Sequence, residues 1–182
     1  MIMFGRNPDQ YKNGTFTWFI GSVEDIDDPK DLNRVKVRAY GYYDNPEIKT
    51  KHLPWATVMM PVTSASVKGN GGNHHLEPEI KNVKGKVIKE GSWVVGFFRD
   101  GPSAQDPIVI GSIATQTNGT QDIPTEASVD NKVYKSKAGH LIEIDNKDGS
   151  EEIRITHKSG SYIHMKEDGT IELKSLKKTR VI

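Results

Sequence analysis

The sequence contains no cysteine, which excludes a disulfide framework, a thiolate metal centre and a cysteine nucleophile. It also lacks any apolar run near the roughly 18 residues of a membrane helix. The opening "MIMFGRNPDQ" turns polar too early for the apolar stretch of a signal peptide. Net charge is missing as well: 25 basic residues offset 24 acidic ones to leave +1. No overall field therefore draws the chain to nucleic acid or an anionic membrane, and binding to either needs a local patch. Apolar residues make up only 35% of the 182. That supply supports a core in one large or two small domains, and its thinness points to apolar surface shared between chains. These absences together lead to an expectation of assembly in a cytoplasm. The Asn-x-Thr tripeptides at Asn13 and Asn118 then read as chance matches in turns.

Helix periodicity is the last absence. Alternation, valine and isoleucine runs and Gly/Pro punctuation fill its place, so the chain reads as all-β. "FTWFIGSVEDI" (16–26) and "NRVKVRAYGYY" (33–43) flank a turn seeded by Asp28-Pro29 and read as a long hairpin. "LPWATVMMPV" follows, then a loose stretch at 64–90 that reads as a long surface loop. "GSWVVGFFRDG" (91–101) and "DPIVIGSI" (106–113) form a second hairpin. About five strands with glycines at the bends suit a small closed barrel. Residues 114–130 hold almost no bulky apolar side chain and read as a linker.

A repeat then begins, centred on Ile142/Ile144, Ile153/Ile155, Ile163/Met165 and Ile171/Leu173, with turn glycines Gly149, Gly160 and Gly169. Each unit offers Glu143, Arg154, His164 or Glu172 to the opposite face. A single layer of such strands cannot hide its isoleucines from water, so the pattern predicts a neighbour. The natural cover is the same segment of other chains. A three-fold prism with the apolar residues inward satisfies the pattern, and a dimeric sheet sandwich is the plainer alternative.

Candidate chemistry is sparse. His74 and His75, with Glu77 and Glu79 nearby, sit on an extended stretch that fixes no ligand geometry and read as a solvated loop. His157 and His164 flank a turn, where a trimer could gather them into a ring that binds an ion or a proton, but they read first as exposed strand positions. "KGNGG" (68–72) lacks the ending and setting of a phosphate loop. Asp25, Asp27, Asp28 and Asp100 fall in turns or at strand ends with no visible acid/base pair. Neither catalysis nor a metal or other cofactor is expected. A barrel with Trp18, Phe19, Tyr40, Tyr42 and Tyr43 beside an Arg34/Lys36/Arg38 stripe also raises single-stranded nucleic-acid binding, the rival function.

Across about 100 residues the order and spacing of several features stand out. These are Trp18, Gly21, Val23, Asp28-Pro29, Arg34, Leu53-Pro54-Trp55, Phe97, Asp100 and Gly101. They resemble the OB-fold domain of the central spike of contractile phage tails, shared with the valine-glycine-repeat spikes of type VI secretion. The later repeat resembles the start of the β-helical prism that follows in those spikes, where it is an intertwined trimer. The resemblance implies an N-terminal arm (1–14), an OB-fold barrel (15–116), a linker (117–133) and trimeric β-prism repeats (134–182). Ile142, Ile144, Ile153, Ile155, Ile163, Met165, Ile171 and Leu173 would form the trimer interface. It implies a structural, non-enzymatic role in a virion tail baseplate or injection-machine tip. The expected partners are a baseplate hub protein, a separate PAAR-type tip-capping protein and a bacterial envelope as target, with no nucleic acid. Two departures accompany it: the linker is too short to hold the lysozyme domain of the best-known phage spikes, and no His-x-His pair is present for an iron-bound tip.

Overall fold

The computed structural model describes residues 16–62, 74–81, 87–89, 91–117 and 119–178, those at 87–89 and 117 by backbone alone. The expected 1–14 arm, Asn118 and most of the 64–90 loop, including 68–72, lie outside the described residues. The elements are β1 (Thr17–Asp25), β2 (Val35–Ala39), β3 (Trp55–Val58), β4 (Ile80–Lys81), β5 (Val87–Lys89), β6 (Trp93–Phe98) and β7 (Pro107–Ile113). After β8 (Gln116–Thr117) and β9 (Thr120–Gln121) come β10 (Asn131–Lys135), β11 (Leu141–Asp145), β12 (Glu152–Thr156), β13 (Tyr162–Met165) and β14 (Ile171–Lys174). No helix among the described residues is long and apolar enough to cross a membrane. The chain divides into two compact units, up to residue 118 and from 119 onward.

The first unit is a closed barrel of order β1-β2-β3-β7-β6. Its antiparallel pairs run from Gly21 opposite Ala39 and Trp18 opposite Phe97, and the barrel shuts through a parallel β3–β7 contact at Thr57 opposite Ile108. Alternate residues point inward, so Phe19, Val23, Val35, Val37, Val94, Phe98 and Val109 form a buried core. Small residues make this tight closure possible. A Cβ on Gly96 would overlap the Ile108 carbonyl oxygen and come within 2.6 Å of the Phe19 ring. A bulge lies beside it, between Val95 and Gly96, where the strand bends. The expected second strand is shorter than its apolar pattern, because after Ala39 the chain turns. Gly41 takes φ +85°, its N–H donates to Asp44 Oδ2 at 2.7 Å, and the Tyr43 N–H returns to the Ala39 carbonyl at 2.9 Å.

The second unit carries a five-stranded antiparallel meander, β10-β11-β12-β13-β14. Three of its four hairpins share one turn, and the β11–β12 loop differs, its Ser150 N–H donating to the Lys147 carbonyl at 2.9 Å. His157 N–H donates to the Ser161 carbonyl at 2.8 Å and Gly160 N–H to the His157 carbonyl at 2.8 Å. The same pair of bonds joins Lys166 to Thr170 and Gly169. Such loops need a left-handed residue at the glycine, and Gly149, Gly160 and Gly169 have φ of +74°, +88° and +80°. Gly139, at φ +90° between β10 and β11, plays the same part in a turn without the Asp-Gly or Ser-Gly signal of the others.

Candidate assembly surface

The register of the meander sorts its side chains into ladders. Ile142, Ile155, Ile163 and Leu173 lie directly across from one another, and so do Ile144, Ile153, Met165 and Ile171. Both ladders are on one face. The six residues of the inner three strands are 42–45% exposed, and Ile171 and Leu173 on the edge strand are 61% and 68% exposed. Tyr134 of β10 extends the first ladder. Among the described residues of the second unit nothing covers this face.

The opposite face shows the reverse. Glu143, Arg154, His164 and Glu172 are paired across the strands, and these polar groups screen each other. His164 Nε2 stands 2.6 Å from Glu152 Oε2, with Glu172 Oε2 3.8 Å from the other ring nitrogen, and the His164 side chain is only 12% exposed. The expected exposed position for His164 is therefore corrected: two glutamates and the neighbouring Arg154 enclose it. The Arg154 guanidinium lies 4.5 Å from the centre of the Tyr162 ring, and Lys174 Nζ approaches the same ring at 5.6 Å. Lys166 Nζ donates to Glu172, a bond that holds this carboxyl below the ordinary glutamate range. A sheet whose charged face is paired in charge across its strands and whose apolar face is open to water lacks a cover on the apolar side.

His157 does not converge with His164 into a site. Its Nδ1 accepts the Ser159 N–H at 3.1 Å, while His140 Nδ1 accepts the Lys158 N–H at 3.3 Å, and the two rings lie tilted by 56° with centres 4.5 Å apart. With Nδ1 taken as acceptor, the neutral ring keeps its proton on Nε2, the atom a metal would need. His74 Nδ1 likewise accepts the Leu76 N–H at 3.2 Å, and burial, with His75 beside it, lowers the His74 pKa. Among the described residues no three ligand side chains gather.

In the barrel, the motif residues fall into two groups. One is structural. Asp28 accepts N–H groups of Lys30 and Leu32 at 3.0 Å each and the Arg34 guanidinium at 2.6 and 2.9 Å. Foremost the Arg34 bond, against the effect of burial, holds its carboxyl far below the usual range. Pro29 occupies the turn this carboxylate organises. Val23 and Leu53 are buried, and Pro54 leads into Trp55, whose ring carries Lys36 Nζ at 4.9 Å and the Arg34 guanidinium at 5.6 Å. Gly21 leaves no room for a Cβ against the Arg38 carbonyl. Asp100 caps the turn at Gly101 by accepting the Gln105 and Asp106 N–H groups at 2.7 and 3.1 Å. The other group, Trp18 and Phe97, faces outward, and Trp18 is 57% exposed.

The cationic stripe is consumed within the barrel. Arg38 donates to Glu24 at 2.5 and 3.0 Å and to the Tyr43 and Ile48 carbonyls at 2.7 and 2.8 Å. Burial alone would raise the Glu24 pKa, but the Arg38 and Thr50 bonds outweigh it and hold it down. Lys36 Nζ donates to the Thr50 and Lys51 carbonyls at 3.2 and 2.9 Å. Phe19 and Tyr43, two of the aromatics a nucleic-acid reading needs, are in the core. Tyr43 OH donates to the Ala104 carbonyl, and burial, then the Asp100 charge, pushes its pKa up to about 12. The basic groove of a strand-binding barrel is therefore absent from this face.

A five-stranded closed barrel with parallel β3–β7 closure, followed in the chain by a repetitive antiparallel sheet, defines an OB-type barrel protein with a second, meander unit. Residues 41–175 match the model of the Gp5 N-terminal OB domain family, and the chain belongs to that family. It is 39% identical over 95 residues to the pre-baseplate central spike protein Gp5 of Enterobacteria phage T4, covering 48% of this chain and 15% of the relative. It is 35% identical over 102 residues to protein Gp5 of Vibrio phage KVP40, covering 53% of this chain and 21% of that relative. The chain thus aligns with a minor part of each.

Proposed function

We propose that this chain is a structural component of the central spike of a phage tail baseplate, acting as a homotrimer. The carrying observation is the pair of exposed apolar ladders on a sheet whose opposite face holds the cross-strand charged pairs. Three such sheets, ladders inward, close a prism whose outside is the Glu143–Arg154–His164–Glu172 face. Covering what remains exposed of each isoleucine is worth about 1 kcal/mol, and the eight ladder side chains supply that gain in every copy. Family membership and the printed role of the phage T4 relative support the same reading.

In this reading the work of these residues is mechanical. A prism held together by apolar side chains from all its chains resists peeling of any one of them during passage through an envelope. The barrel joins the spike to a ring-shaped hub protein, and a separate PAAR-type protein caps the tip. Assembly takes place in the bacterial cytoplasm, and the product resides in the virion tail baseplate. Because the chain lacks cysteine, Met165→Cys with a short tris-maleimide, which can join up to three thiols, gives a clean interchain cross-linking test. A ladder of products that stops at three copies is expected. One that stops at two would favour the sheet sandwich, and no cross-link would remove the shared face.

A further inference from the structure

The barrel has a second surface that a free barrel does not need. Barrel strands normally alternate, apolar inward and polar outward. Here "TWFI", "WVVGFF" and "PIVIG" are apolar on both sides, the pattern of strands buried on two faces. The outward positions register as uncharged rows across β1, β6 and β7: Trp18 beside Phe97 beside Ile108, and Ile20 beside Val95. Phe16 packs on Phe97 at 5.4 Å between ring centres, and Tyr40 on Trp93 at 5.3 Å. Phe16 and Trp18 remain 69% and 57% exposed. Their rows carry no charge in a chain that is 27% charged, so a polyanion gains nothing there, whereas aromatic, charge-poor surface is the composition of protein interface cores.

We infer that this aromatic wall is covered by the barrel of a second copy. The inference rests on the trimer reading above. Covering what remains exposed of Phe16 and Trp18, rings that bury about 150–250 Å² each when fully covered, removes well under the roughly 1,000 Å² that a stable interface needs unaided. Tethering changes that requirement. In the chain, β7 ends at Ile113 and β10 starts at Asn131, so each barrel is tied to its sheet by a short segment. Once the sheets associate, the barrels are held at an effective concentration on the order of millimolar. At that concentration a small neutral wall meets its own kind readily, because a net charge of +1 per chain opposes it little.

The test uses the full chain carrying Trp55→Phe and Trp93→Phe, so that Trp18 is the sole tryptophan, with a matched version that also carries Ile153→Asp as the single-chain reference. Acrylamide quenching of Trp18 and absolute mass are read on the same samples. The expected result is a quenching constant several-fold lower in the associated chain than in the reference. Equal, strong quenching in both would leave the wall open for a different protein and overturn the inference. Equal, weak quenching in both would mean that the chain covers its own wall, and would overturn it too. A single-chain mass for the parent would remove the trimer reading itself, a failure visible from mass alone. Trp18→Ser in the natural sequence should raise the concentration at half-association several-fold while the associated mass stays the same, and an unchanged half-point would contradict the inference.

Discussion

Replacing Ile153 with aspartate probes the ladder at its centre. Ile153 lies between Ile144 and Met165 on the open face and is 42% exposed in the single chain. In the isolated sheet the carboxylate remains in water, so the meander and the barrel should keep their folds with a change within about 1 kcal/mol. In the assembled prism the same carboxylate is buried between Ile144 and Met165, and the one cation in its ladder, Lys132, stands two strands away beyond Ile144. The substitution forfeits about 1 kcal/mol of apolar burial and adds several kcal/mol for an unpaired buried charge. Three copies bring the total above about 10 kcal/mol per trimer, a factor of more than about ten million in the association constant. Light scattering after size exclusion should show a single chain of 20.3 kDa, with far-ultraviolet circular dichroism unchanged. Persistence of the parent mass at micromolar concentration would refute the reasoning, since no trimer that buries this ladder can absorb three such charges.

Asp28→Asn should cost about 3 kcal/mol by leaving Arg34 without its partner. It should also alter acid stability in a fixed direction. The folded Asp28 carboxyl lies below its unfolded value of about 3.9, so its stabilisation is present above about pH 4 and is lost as pH falls below it. Urea midpoints taken from pH 5 down to pH 2 should therefore fall more steeply in the parent than in Asp28→Asn, and parallel lines would contradict the clamp. Tyr43→Phe leaves the Ala104 carbonyl without its donor and should cost about 1–3 kcal/mol by thermal or chemical denaturation. Gly160→Val places a β-branched residue at φ +88°, and a loss of about 1 kcal/mol or more in sheet stability is expected. Single-stranded DNA titrated at low and moderate salt should give no salt-sensitive binding, because Arg34, Lys36 and Arg38 are committed inside the barrel. Micromolar binding that weakens with salt would restore the rival reading.

The repeat was legible because period-two alternation and Asp-Gly or Ser-Gly punctuation state both the face and the turn of each strand. Ile153 and Ile155 are on one face because nothing else in the pleat is possible. Gly139 escaped that reading because "KSKAGH" offers lysine and alanine where the other turns offer Asp or Ser, yet its backbone does the same thing. The extent of β2 was overread, since Tyr40, Tyr42 and Tyr43 continue an aromatic strand pattern while Gly41 and Asp44 set a turn that composition alone does not weigh. The fate of the basic stripe was not legible at all. Arg38 finds Glu24, Tyr43 and Ile48, and Lys36 finds two carbonyls near Thr50, and these partners are set by barrel closure, not by local spacing. His164 shows the same limit: a single histidine in an alternating strand reads as exposed until the register places Glu152 and Glu172 beside it.

The central claim is that copies of this chain cover one another's apolar ladders, and the absolute mass of the full chain in solution tests it most directly. Light scattering after size exclusion, run over a dilution series, should give three times 20.3 kDa and hold that value into the low micromolar range. A mass of one chain at every concentration would leave the ladders uncovered by the partner proposed for them and would contradict the account.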